Sequence, residues 1–139
     1  MKVKPPLGVF VDESIAPWML PSAVELLSGE WQLIVKRIYT RSLSEKSQLI
    51  VQSLQFDHVD VASAPRRKNA VDFVITCDML EELYRGELAA FALFTNDGDF
   101  VEPVSRIKKH VAIYVFGRDY APIELQQAAT EFTLLTARG

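Results

Sequence analysis

Three short apolar runs, at residues 7–11, 91–94 and 111–116, constrain the fold of this chain more than any other feature. They are far shorter than the roughly 20 residues a membrane-crossing helix needs, and they have strand length. Each is continuous and does not alternate with polar residues, which is the pattern of a strand covered on both faces, as in the centre of a parallel sheet. The segments between them repeat at helical spacing. Val71, Val74, Ile75, Met79, Leu80 and Leu83 predict a helix over 70–84, stopped by Arg85 and Gly86. Phe100, Val101, Val104 and Ile107 predict another over about 99–109. Shorter helices are expected from Pro21 to Leu27 with a stop at Ser28-Gly29, from a Ser44 or Ser47 cap to Gln55, and from Pro122 to Ala129. In the second of these, Leu49, Ile50, Ser53 and Leu54 are the expected inner face. Further strands are expected at 31–39, at 58–62 on an edge, and at 132–135. Strands alternating with helices give an α/β class: a doubly wound parallel sheet of five to six strands with helices on both faces, as one domain over residues 1–139.

The second run ends in a cluster of polar residues, Phe91-Ala-Leu-Phe-Thr-Asn-Asp-Gly-Asp-Phe100. Asp and Gly disfavour strand interiors, so the strand stops near Thr95 and a helix follows at once. That places Asp97 and Asp99 at the carboxyl edge of the sheet, where open α/β sheets bind ligands. Two acids in one tight turn repel unless something neutralises them, and Mg²⁺ or Mn²⁺ is the usual partner of carboxylate oxygens. The competing reading is that one of them only caps the helix. Asp12 ends the first strand and Asp72 opens the helix before the Phe91 run, so both can reach the same edge. Three or four carboxylates around one or two divalent ions are the equipment of metal-assisted phosphodiester hydrolysis. Asp72 as a helix-dipole complement and Asp12 as a turn residue remain the alternatives. Asp78, six residues after Asp72, falls on a different helical face and is expected to support the site from outside it.

Three segments resemble the NYN domain of the PIN-like ribonuclease superfamily, the group that includes the bacterial LabA-like proteins. They are Val9-Phe-Val-Asp12, then Lys68-Asn-Ala-Val-Asp72 with Asp78 six residues on, then Leu93-Phe-Thr-Asn-Asp97-Gly-Asp99-Phe100. Their order and spacing cover nearly the whole chain. The resemblance implies a PIN-like, Rossmann-like fold and metal-dependent cleavage of RNA, single-stranded, with Mg²⁺ or Mn²⁺ as cofactor. By position it assigns catalysis and metal binding to Asp12, Asp72, Asp97 and Asp99. It puts Thr95 where the family has Ser, and Thr95 and Asn96 become candidate substrate contacts. Lys68 falls in the motif, and Arg66 and Arg67 beside it form the densest positive charge in the chain, suited to phosphate contacts. The chain departs from the family at Ile15, where the first motif, Asp-x-x-Asn, has Asn; Ser14, with Glu13, is the candidate stand-in.

That departure favours a second reading, in which an NYN-like domain has lost efficient cleavage and binds RNA or protein. A haloacid-dehalogenase phosphatase needs an Asp where Ser14 stands, and a Toprim nuclease needs a Glu after its first strand. A receiver domain needs an acidic pair and a late lysine that are not evident. A net charge of −3 gives no global attraction to nucleic acid, so any RNA contact must be local. A single cysteine, Cys77, excludes an internal disulfide and a cysteine-rich zinc site, and fits a reducing cytoplasm. No membrane contact is expected, and a homodimer is the candidate assembly.

Overall fold

In the computed structural model, which describes residues 3–61 and 70–136, each apolar run is a strand and each helical repeat a helix. The chain runs β1 (Pro6–Val11), a 3-10 turn (Pro17–Met19), α1 (Leu20–Glu30), β2 (Gln32–Thr40), α2 (Glu45–Ser53) and β3 (Asp57–Asp60). After the segment 62–69 come α3 (Ala70–Arg85), β4 (Ala90–Phe94), a 3-10 turn (Gly98–Phe100), α4 (Val101–Lys108), β5 (Ala112–Gly117), α5 (Ile123–Ala128) and β6 (Glu131–Leu134). The six strands form one sheet in the order β3-β2-β1-β4-β5-β6, with every pairing parallel.

Side chains of successive strand residues point to opposite faces, so β1 and β4 feed two cores. Leu7, Val9 and Val11 with Ala90, Ala92 and Phe94 pack against α1 and α2. Phe10, Phe91 and Leu93 pack on the other face against α3, α4 and α5. All five residues of β4 are buried, as a continuous apolar run requires. The sheet reverses direction between β1 and β4: the chain winds outward from β1 through β2 to β3, then returns to start again at β4. That reversal is the switch point at which ligands bind in open α/β sheets.

Two local expectations are corrected. Ser28-Gly29 does not stop α1, which continues to Glu30; Gly29 does not adopt a left-handed backbone, and the Ser28 hydroxyl donates to the Val24 carbonyl inside the helix. Gly86 does adopt it, with φ of 71°, and ends α3. In α2, capped by Ser44 through the Ser47 amide, the buried residue is Val51. Leu49 and Ser53 face solvent, because the helix is set by Val51 and Phe56 closing on the core. The structure also gives Ile15 a role. It is 2% exposed and sits in the core cluster of Val11, Met19, Leu20 and Ile38, so the position is one of packing. Ile15→Asn would bury an amide in that cluster. A loss of about 2–4 kcal/mol is expected, seen as a lower urea midpoint with an unchanged slope; wild-type stability in this variant would overturn the assignment.

Candidate metal centre at the sheet switch point

Asp12 follows β1 directly, and its amide extends the ladder by donating to the Phe94 carbonyl at 3.0 Å. Its carboxylate is 2% exposed. Oδ1 accepts from the Ser14 amide at 2.8 Å and the Ser14 hydroxyl at 2.5 Å, and Oδ2 accepts from the Thr95 hydroxyl. Both donors serve the next turn as well. Thr95 Oγ1 accepts from the Asp97 amide at 3.0 Å, and Ser14 Oγ accepts from the Asn96 amide at 3.1 Å. Asp12 therefore fixes the backbone that carries Asp97 and Asp99. Burial pushes its carboxyl up from the ordinary 3.8 to about 6, against the pull of the Ser14 and Thr95 hydrogen bonds, with the Asp97 charge adding to the rise.

Asp97 caps the 3-10 turn by accepting from the Asp99 amide at 2.9 Å. The capping role and membership of an acidic cluster thus coexist in one residue. Asp72 arrives from the first turn of α3. Asp72, Asp97 and Asp99 each offer an oxygen within 4.8 Å of the others, a grouping that can hold a metal ion. Asp12 lies outside this trio but close enough for its charge to act on Asp72. Asp72 Oδ2 is buried and receives no hydrogen bond among the described residues. Its neighbours in the cluster are carboxylates, which accept and do not donate, so an added proton or a cation is what satisfies it. Its carboxyl is pushed up to about 8: first by burial, then by a hydrogen bond with Asp97 and by the charges of Asp97, Asp12 and Asp99. An orphaned oxygen in an all-carboxylate set suits a hard divalent ion such as Mg²⁺ or Mn²⁺.

The other candidate residues separate. Thr95 is fully buried, so its side chain does not reach a substrate as expected, whereas Asn96 is half-buried and hydrogen-bonded within the protein. Asn96 Oδ1 accepts from the Arg118 amide at 2.6 Å, and Nδ2 donates to the Ser14 carbonyl and the Tyr120 hydroxyl at 3.4 Å each. Ser14 holds Asp12, as described. Asp78 is outside the cluster and accepts from the Tyr39 hydroxyl at 2.6 Å. Beside it, buried Glu82 accepts from Arg37 at 3.2 Å and Arg85 at 3.1 Å, so polar contacts tie α3 to β2. Arg66, Arg67 and Lys68 lie outside the described residues. The loop after β5 went unnoticed in the sequence: Gly117 is a close-approach position, where a Cβ would stand 2.6 Å from the Thr95 carbonyl and 2.9 Å from Asn96 Oδ1. Its sequence signal is the Gly that ends an apolar strand opposite Thr95. Among the described residues no helix is long and apolar enough to cross a membrane.

The NYN domain family matches residues 6–136 of this chain. A crystal structure of a protein of unknown function from Vibrio parahaemolyticus superposes with a TM-score of 0.77 at 19% identity, covering 99% of this chain and 98% of that one. Its likeness is one of fold. Glycinamide ribonucleotide transformylase 1 from Symbiobacterium toebii aligns at a TM-score of 0.37 and 15% identity over 65% of this chain and 41% of its own, which is too low to bear on the fold. A search of curated proteins gives no match.

The raised carboxyls fix the sign of a pH dependence. Between the ordinary 3.8 and the folded values of about 6 and about 8, the folded protein holds protons that the unfolded chain has released. Stability in a chelator should therefore fall as pH rises from about 4 to about 8. A divalent ion binds the deprotonated cluster, so millimolar Mn²⁺ should raise the melting temperature most at the upper end of that window. Asp72→Asn should remove the upper part of the slope. A melting temperature in chelator that is level or rises across this range would refute the assignment.

Proposed function

The chain belongs to the NYN domain family, and on that premise we propose that it is a divalent-metal-dependent ribonuclease that cuts the phosphodiester bonds of single-stranded RNA. NYN nucleases act on RNA and generally use divalent metals. The observation that carries the proposal is the trio Asp72, Asp97 and Asp99, with oxygens within 4.8 Å of one another and Asp72 Oδ2 buried without a donor among the described residues.

In this reading Asp72, Asp97 and Asp99 hold Mg²⁺ or Mn²⁺. Such an ion supplies positive charge to a phosphate oxygen and makes a water more acidic. The chain supplies position. Asp97 is fixed by its own cap and by Thr95, while Asp99, the exposed member, closes the cluster from the solvent side. Asp72 gives up its proton when a cation arrives, so occupancy rises with pH. Asp12 acts from behind: it adds negative charge and keeps Ser14 and Thr95 oriented under the turn. Arg66, Arg67 and Lys68, just ahead of α3, contact the RNA backbone without reading bases. Ile15 packs in the core, so its departure from the family pattern removes a polar residue without altering the acid trio.

The test is cleavage of a labelled single-stranded RNA in Mn²⁺, in Mg²⁺ and in chelator. Cleavage is expected only with an ion, and Asp97→Asn or Asp99→Asn should lower the rate by about a hundredfold or more. Both variants should keep RNA binding or tighten it, since each removes a negative charge facing a polyanion. Replacing Arg66, Arg67 and Lys68 together by Ala should weaken binding and reduce its log–log salt slope by about 2. Wild-type protein that cuts no faster in Mn²⁺ than Asp97→Asn would leave the binding-module reading instead.

A further inference from the structure

Helix α3 turns one side to β2 and the core through Val71, Ile75 and Met79, and its opposite side carries a second apolar stripe. Phe73 is 69% exposed, Leu80 44% and Tyr84 94%, and Cys77 between them is exposed too. The spacings of four, three and four residues put all of them in one line along the helix. A satisfied surface helix shows a polar outer face here. At the far end of the line, Leu80, Leu83 and Tyr84 with His110 and Val111 surround a shallow hollow of about 490 Å³. The stripe thus has a projecting ring, Phe73, at one end and an apolar recess at the other.

We propose that this outer face of α3 is a self-association surface, on which two copies of the chain pair their α3 helices antiparallel about a two-fold axis. An isologous interface needs each patch to fit itself with the direction reversed. Reversal lays Phe73 of each copy against the Leu80–Tyr84 end of the other, and Cys77 against Leu80. The knob of one copy then fills the hollow of its twin, twice over. The chemistry disfavours nucleic acid as occupant: the stripe contains no lysine or arginine, and Glu81 is exposed beside it. Phe73, Leu80 and Tyr84 expose roughly 400 Å² per copy in one line along the helix, the size of the largest patch on an ordinary monomer, which is often a functional surface. Doubled, with flanking Val74 and Leu83, the buried area comes to at most about 1,000 Å², the size of a weak or transient interface. An interface of that size is expected to be reversible, not obligate. The inference does not depend on the nuclease reading.

Sedimentation equilibrium of the full chain from about 1 to about 100 µM reads the association directly. Wild type should move from monomer to dimer mass across that range. Tyr84→Glu and Leu80→Glu should each weaken dimerisation at least about tenfold. Tyr84 is almost wholly exposed, so its variant should melt as the wild type does. A short bismaleimide should join copies through Cys77, the only cysteine, since paired helices lie about 8–10 Å apart. That product should disappear in Tyr84→Glu. Wild type that stays monomeric to about 100 µM overturns the proposal, as does association that neither substitution weakens.

Discussion

The buried carboxylate of Asp12 is the interaction on which the functional edge depends. It stands at the only place in the sheet where the chain changes winding direction, between β1 and β4. Parallel strands bring their ends to one edge but do not order the loops that leave them. Asp12 does so with three hydrogen bonds from two residues, Ser14 and Thr95, and each of those hydroxyls passes the constraint on to an amide of the β4 turn. Burying the charge is unfavourable, and the upward displacement of its carboxyl expresses that. The three donors reduce the cost without abolishing it.

The acid trio is a second cost in the same place. Asp97 and Asp99 are set by the turn, and Asp72 is brought to them because α3 begins at the carboxyl edge. The position of α3 is held lower down by Tyr39 on Asp78 and by Arg37 on Glu82, contacts that link the helix to β2. Rigid placement of like charges is what separates this arrangement from an ordinary acidic surface, where side chains swing apart. Here Asp72 is half-buried, and its inner oxygen has no donor among the described residues.

Much of this was legible in the sequence because it depends on local patterns. Continuous apolar runs gave the central strands, helical spacing gave α3, and the Asp-Gly-Asp turn located the edge. What could not be read depends on partners far away in the chain. The Asn96 amide bonds to Arg118, Tyr120 and Ser14, and no spacing rule announces such contacts. Glu82 interrupts an apolar face and reads as a surface acid; only the arginine of β2 explains its burial. The motif marks Ile15 as a departure, but that it packs in the core with Met19 and Ile38 is visible only in the folded chain. The loop at 66–68, with its charges, lies outside the described residues.

The separation of Asp12 and Thr95, 83 positions apart in the chain, bears on how the protein comes to be folded. Joining β1 to β4 closes a loop of that length, and the closure entropy must be met before the contact returns anything. Until then Asp12 and Asp72 are far along a flexible chain from the Asp97–Asp99 pair and barely feel it. Their repulsion arises only once the sheet is assembled, so it strains the finished molecule and not the search for it. A cation that binds at this edge would therefore govern how long the folded protein persists more than how fast it forms.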